Sequence, residues 1–106
     1  MSEYVPEGES RVESGVVLEE ELKEPSMYRV ILHNDDFTTM DFVVMVLMEI
    51  FRKSAEEAES IMLAVHEKGR GVCGVYPKEI AEFRVGQVLR RANEAGFPLL
   101  CTMEKE

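Results

Sequence analysis

With 106 residues, the chain has room for one domain and one modest core, too little for an enclosed active site with separate substrate and cofactor chambers. The formal net charge is −9, and eight glutamates against Arg11 and Lys23 concentrate most of that excess in residues 1–25. An acidic chain without a basic stripe repels phosphate backbones, which excludes nucleic acid as an expected partner.

No stretch approaches the ~20 apolar residues of a membrane span, so no membrane association is expected. The first residues, Met1 to Glu7, lack the basic start and apolar core of a signal peptide, and a soluble intracellular protein is expected. Residues 1–25 are rich in Glu, Ser, Gly and Pro, with short apolar islands such as Val16–Leu18. Such a segment buries too little apolar area to offset its ordering entropy and reads as a flexible acidic extension, either an inert leader or an interaction segment.

The ordered domain, 26–106, starts at Met27–His33, a run of β-formers closed by the turn residues Asn34, Asp35 and Asp36. Thr38 and Asp41 have capping-box spacing, and the apolar run from Phe42 to Phe51 predicts a buried helix. Ser54 and Glu57 form a second capping box. The helix they open carries Ala58, Ile61, Met62 and Val65 at a 3.6-residue period and ends at Gly69. Gly71–Tyr76 predicts a strand. Pro77 then suits the first turn of a third helix with the stripe Ala81, Val85, Val88, Leu89 and Ala92, stopped by Gly96 and Pro98. Leu99–Met103 completes a β-α-α-β-α-β order, an α+β domain with three helices packed on a small three-stranded sheet.

Cys73 and Cys101, the two cysteines, lie in apolar surroundings and read as small buried hydrophobes of a reducing compartment. A disulfide stays open if their strands are neighbours. Gly69 to Gly74 spells G-x-G-x-x-G, but a helix precedes it and a strand follows, the reverse of the dinucleotide fingerprint. His33, Asp35, Asp36 and His66 carry metal-compatible atoms without zinc-site spacing, and no nucleophile motif surrounds Ser54 or Ser60. A non-enzyme with no cofactor and no metal is therefore expected, with a small metal-dependent hydrolase as a distant alternative.

Asn34, Asp35 and Asp36 admit two readings: a polar turn feeding a helix, or a cluster of acceptors at one strand end. His66, near the end of the second helix, is either a partner for the helix dipole or part of a site. Met40 and Met62 flank this polar group, and pliable thioethers suit a pocket for apolar groups of differing shape.

The stretch PSMYRVILHNDDFTTMDFV, from Pro25 to Val43, resembles the signature of ClpS adaptors. The similarity continues through IMLAVH (61–66), GVCGVY (71–76) and PLLCTMEK (98–105), covering residues 25–106 in several ordered blocks. The resemblance implies a bacterial, cytoplasmic adaptor, monomeric on its own. It would bind proteins whose first residue is Leu, Phe, Tyr or Trp and deliver them to the N-terminal domain of a ClpA-type AAA+ ATPase. By the family pattern, Asn34, Asp35 and His66 hold the free α-amino group, and Asp36 and Thr38 hold the peptide backbone. The apolar pocket is formed by Leu32, Thr38, Met40, Val43, Met62, Val65 and Leu99, with Met40 as a steric gate. Tyr76, Glu79 and Arg84 face the ATPase. His33 and Thr39 depart from the pattern, the first where an aliphatic residue is frequent near the pocket wall, the second where proline is common. The competing reading is a module that modulates a Clp ATPase without reading N-termini.

Overall fold

The computed structural model describes residues 25–106. The acidic extension expected over residues 1–25 lies, but for Pro25, outside the described residues. The elements run β1 (Met27–His33), α1 (Met40–Glu49), α2 (Ala55–Lys68), β2 (Arg70–Pro77), α3 (Lys78–Ala95) and β3 (Leu100–Lys105), which is the β-α-α-β-α-β order. β1 occupies the centre of an antiparallel sheet of order β2-β1-β3. Such a centre suits its run of Val30, Ile31 and Leu32, all fully buried.

Side chains alternate across a strand, so Val30 and Leu32 face the helices, while Arg29, Ile31 and His33 point to the opposite face. Opposite them on that second face stand Val72 of β2 and Thr102 of β3. The His33 imidazole hydrogen-bonds Thr102 Oγ1 at 2.8 Å, and Glu104 bridges Arg70 at 2.9 Å. His33, at a position where an aliphatic residue is frequent near the pocket wall, thus has its ring on the far side of the sheet.

Between Val30 and Ile31 the β1–β2 register slips, Gly74 pairing with Val30 and Val72 with Ile31. Cys73 is the extra residue of this bulge and is wholly buried in the core. Cys101 is buried too, but on β3, so β1 separates the thiols. Two strand spacings amount to about 9–10 Å, beyond the ~7 Å Cα reach of a disulfide. Both cysteines are free, their thiols pushed up by burial, Cys101 to about 12.

Several helix ends form as their local residues dictate. Ser54 and Glu57 make the reciprocal capping box of α2, and Gly69 closes that helix at φ 90°. Gly96 closes α3 at φ 81°. At α1 the expected box does not form. Thr39 is the N-cap, its hydroxyl accepting the Phe42 N–H at 3.1 Å, whereas Thr38 is engaged by Asp35. Threonine in place of a frequent proline therefore anchors the helix start through a side-chain cap.

The core gathers Phe42, Val43, Val46 and Leu47 of α1 with Ala58, Met62 and Val65 of α2 and Ala81, Val88 and Ala92 of α3. Phe97, just past the Gly96 cap, lies 4.9 Å from the Phe42 ring and pins the α3–β3 link against α1. Leu89 leaves the expected stripe and is exposed on the outer side of α3.

Candidate functional site

At the C-terminal end of β1 the chain turns through Asn34 to Thr39 before α1 begins. Two sets of bonds fix this loop. The Asn34 N–H donates to the Gly69 carbonyl at 2.9 Å, tying the loop to the left-handed end of α2. That tie brings Asn34 to the last turn of α2, where His66 stands. Asp35 then organises the loop from inside. Its Oδ1 accepts the Phe37 and Thr38 N–H groups, both at 2.8 Å, and its Oδ2 accepts the Thr38 hydroxyl at 2.7 Å.

These bonds set the chemistry of Asp35. Partial burial raises its pKa, but the Thr38 hydroxyl and the two backbone N–H groups outweigh it, so the carboxyl is held below its ordinary value of 3.8. A carboxylate offers about four lone-pair positions, and three are taken. One position on Oδ2 remains for a ligand, together with the full negative charge. Because the folded pKa is depressed, the contribution of Asp35 to loop order is complete above the ordinary aspartate value and is lost as pH falls through the lowered one. The Phe37 and Thr38 amide resonances should therefore titrate with a midpoint below 3.8 in an NMR series. A midpoint at or above that value would show that the three bonds do not hold in solution.

Loop, α1 and α2 enclose a cavity of about 240 Å³. Its polar side carries Asn34, Asp35, Asp36, Thr38 and His66, and its apolar side Met40, Val43, Met62 and Val65. Val43, Met62 and Val65 are buried, whereas Met40 is 44% exposed. An apolar cavity of ~150 Å³ accommodates benzene, so this space takes one large side chain and a small polar head but no drug-sized ligand. Leu32 and Leu99, expected to line the pocket, do not reach it. Both are core residues, Leu32 fully buried behind the loop and Leu99 nearly so.

One positioning residue has no signal in local sequence. A Cβ on Gly71 would stand 2.8 Å from Val65 Cγ2 and 3.2 Å from the Ile61 carbonyl oxygen. Its lack of a side chain lets α2 lie close on β2 and sets Val65 at the cavity wall.

Tyr76, Glu79 and Arg84 stand at the opposite end of the sheet, since Tyr76 pairs with Tyr28 near the start of β1. From Tyr28, the partner of Tyr76, to Asn34 at the cavity is about 20 Å at the ordinary strand rise. The Arg84 guanidinium lies 6.0 Å from the Tyr76 ring centre and 5.9 Å from that of Phe83, and donates to Gln87 Oε1 at 3.2 Å. Its Nε has no partner among the described residues. Exposed Ile80 and Phe83 extend this surface by one helical turn. They escape sequence reading because single exposed apolar residues on a helix are commonplace.

Among the described residues, no helix is long and apolar enough to cross a membrane, and no group of three His, Cys, Asp or Glu side chains is placed to hold a metal ion.

The loop thus sets a carboxylate held by three hydrogen bonds beside an apolar cavity. Residues 23–102 match the family model described as ATP-dependent Clp protease adaptor protein ClpS. The ATP-dependent Clp protease adapter protein ClpS of Oleidesulfovibrio alaskensis is 64% identical over 96 residues, covering 91% of this chain and 92% of the relative. The protein of the same description from Burkholderia mallei is 59% identical over 87 residues, 82% and 84% of the two chains. Among solved structures, Agrobacterium tumefaciens ClpS2 bound to L-phenylalaninamide superposes with a TM-score of 0.76 at 38% identity, covering 78% of this chain and all of that one. The chain belongs to the ClpS family of Clp protease adaptors.

Proposed function

We propose that this adaptor binds the free α-amino group and bulky apolar first side chain of N-degron substrates and delivers them to a ClpA-type AAA+ ATPase. One observation carries the reading: Asn34, Asp35 and His66 share a single cavity with Met40, Val43, Met62 and Val65. An α-ammonium has three donors and no acceptor. Asn34 offers an amide oxygen, Asp35 its remaining Oδ2 position with charge assistance, and a neutral His66 one ring nitrogen. The first side chain then fills the apolar space. The ligand of the Agrobacterium relative supports this, because L-phenylalaninamide combines a free α-amine, a benzyl group and an amide where a chain would continue.

Asp36 and Thr38 at the rim serve the peptide backbone that follows. Thr38 donates its hydroxyl proton to Asp35 and can only accept there, so its partner is a peptide N–H. Nothing in this scheme requires bond-making chemistry or a cofactor, and we assign the chain a non-enzymatic role in the bacterial cytoplasm, with 26–106 as the adaptor domain. The Tyr76, Glu79 and Arg84 surface is assigned to the ATPase. It is about 20 Å from the cavity, far enough for substrate and ATPase to be held together.

Binding of peptides differing in their first residue tests the assignment. Leu, Phe, Tyr and Trp should bind, whereas Ile and Val, branched at Cβ, should clash with Met40 and bind at least ~10-fold more weakly. Met40→Ala opens the mouth and should bring Ile and Val to within a few-fold of Leu. Continued exclusion by Met40→Ala would place the steric limit on another side chain.

A further inference from the structure

A second depression runs along the same α1–α2 seam as the cavity, a groove of about 600 Å³ lined by Asp41, Val44, Met45 and Met48 of α1 and by Glu59 and Met62 of α2. The α1 positions follow i, i+3, i+4, i+7 spacing, one continuous face of the helix. Met62 belongs to both spaces, forming the wall between them, and Asp41 adjoins the gate residue Met40. Resting on the N-terminal reading above, we propose that this groove receives the substrate residues just beyond the first few and favours apolar and basic side chains there.

Length, charge and composition agree. From Asp41 to Met48 the groove runs about 10 Å, room for roughly three extended residues. Its lining holds carboxylates and no cation. Arg91, outside the lining, engages Glu49 at 2.7 Å and touches Met45 Sδ at 3.0 Å, which leaves Asp41 and Glu59 to set the charge of the groove. Three methionines in one lining suit a tract whose side chains differ from substrate to substrate. Substrates would thus be graded by a short downstream tract after being admitted by their first residue.

The test uses the full chain and fluorescent ten-residue peptides with a free N-terminal Phe and Leu/Lys, Gly/Ser or Glu at positions 3–6. The dipeptide amide Phe-Ala is the reference. The Leu/Lys peptide should bind about 3–10-fold tighter than the Gly/Ser one and the Glu peptide more weakly still, the scale of two or three exposed charge and apolar contacts. Glu59→Lys combined with Met48→Ser should erase that ranking and leave Phe-Ala amide binding unchanged. Equal binding of all three peptides, or a ranking that survives the double variant, overturns the groove assignment alone. Failure of the wild-type chain to bind Phe-Ala amide overturns the N-terminal reading, and the groove proposal with it.

Discussion

Asp35→Ala should weaken binding of a Phe-initiated peptide by ~10²-fold, the scale of a lost hydrogen bond to a charged group combined with a loosened loop. The substitution removes the negative charge that faces the ammonium. It also releases the Phe37 and Thr38 N–H groups and the Thr38 hydroxyl, all of which Asp35 holds. Asp35→Asn separates these contributions. An amide oxygen still accepts the two N–H groups in an Asx turn, and the Thr38 hydroxyl can rotate to accept from the new NH₂ group, so the loop keeps its shape while the charge and the free Oδ2 acceptor are gone. A loss of about 10-fold in Asn against ~10²-fold in Ala is the expected split by titration calorimetry. Equal losses would mean that the carboxylate's charge and free acceptor matter and loop order does not; no loss in either would remove Asp35 from the amine site.

Gly71→Ala should lower stability by ~1–3 kcal/mol, the ordinary cost of overpacking. For a domain of this size that is a drop in Tm of roughly 5–20 °C by differential scanning calorimetry. The added methyl meets Val65 Cγ2 at 2.8 Å and the Ile61 carbonyl oxygen at 3.2 Å, one of them backbone that cannot rotate away. Relief requires α2 to shift off β2, carrying Val65 and Met62 with it, so affinity for a Phe-initiated peptide should fall as well. An unchanged melting temperature would show that α2 adjusts freely and that Gly71 does not set the cavity wall.

Local chemistry made much of the fold legible. Ser54 and Glu57 announce their capping box within four residues, and Gly69 and Gly96 mark helix ends by the left-handed conformation they adopt. What depends on which of several neighbouring polar groups pair once the loop folds is less readable. Asn34, Asp35 and Asp36 look like three equivalent acceptors, yet only folding of the loop commits three of Asp35's lone pairs to Phe37 and Thr38. Thr38 and Thr39 are both competent caps. The engagement of Thr38 by Asp35 leaves Thr39 at the helix start.

Leu32 and Leu99 are expected in the cavity from the family pattern, as apolar residues of its matching blocks. They are core instead, since the cavity begins only where the chain leaves the sheet. Strand alternation did contain the answer for His33: with Leu32 facing the helices, its neighbour must face away. Gly71 gave no such sign, because its role is a contact with α2 that sequence spacing does not reveal.

The most direct measurement compares, by fluorescence anisotropy, one Phe-initiated peptide with the same peptide acetylated at its N-terminus. Acetylation removes the charge and two donors while leaving the benzyl group intact. The account predicts saturable binding of the free peptide and a loss of at least ~10²-fold on acetylation, since acceptors placed for an ammonium are then left without partners. Equal binding of the two forms would contradict it. That result would reduce the cavity to a hydrophobic groove and favour a module that modulates a Clp ATPase without reading N-termini.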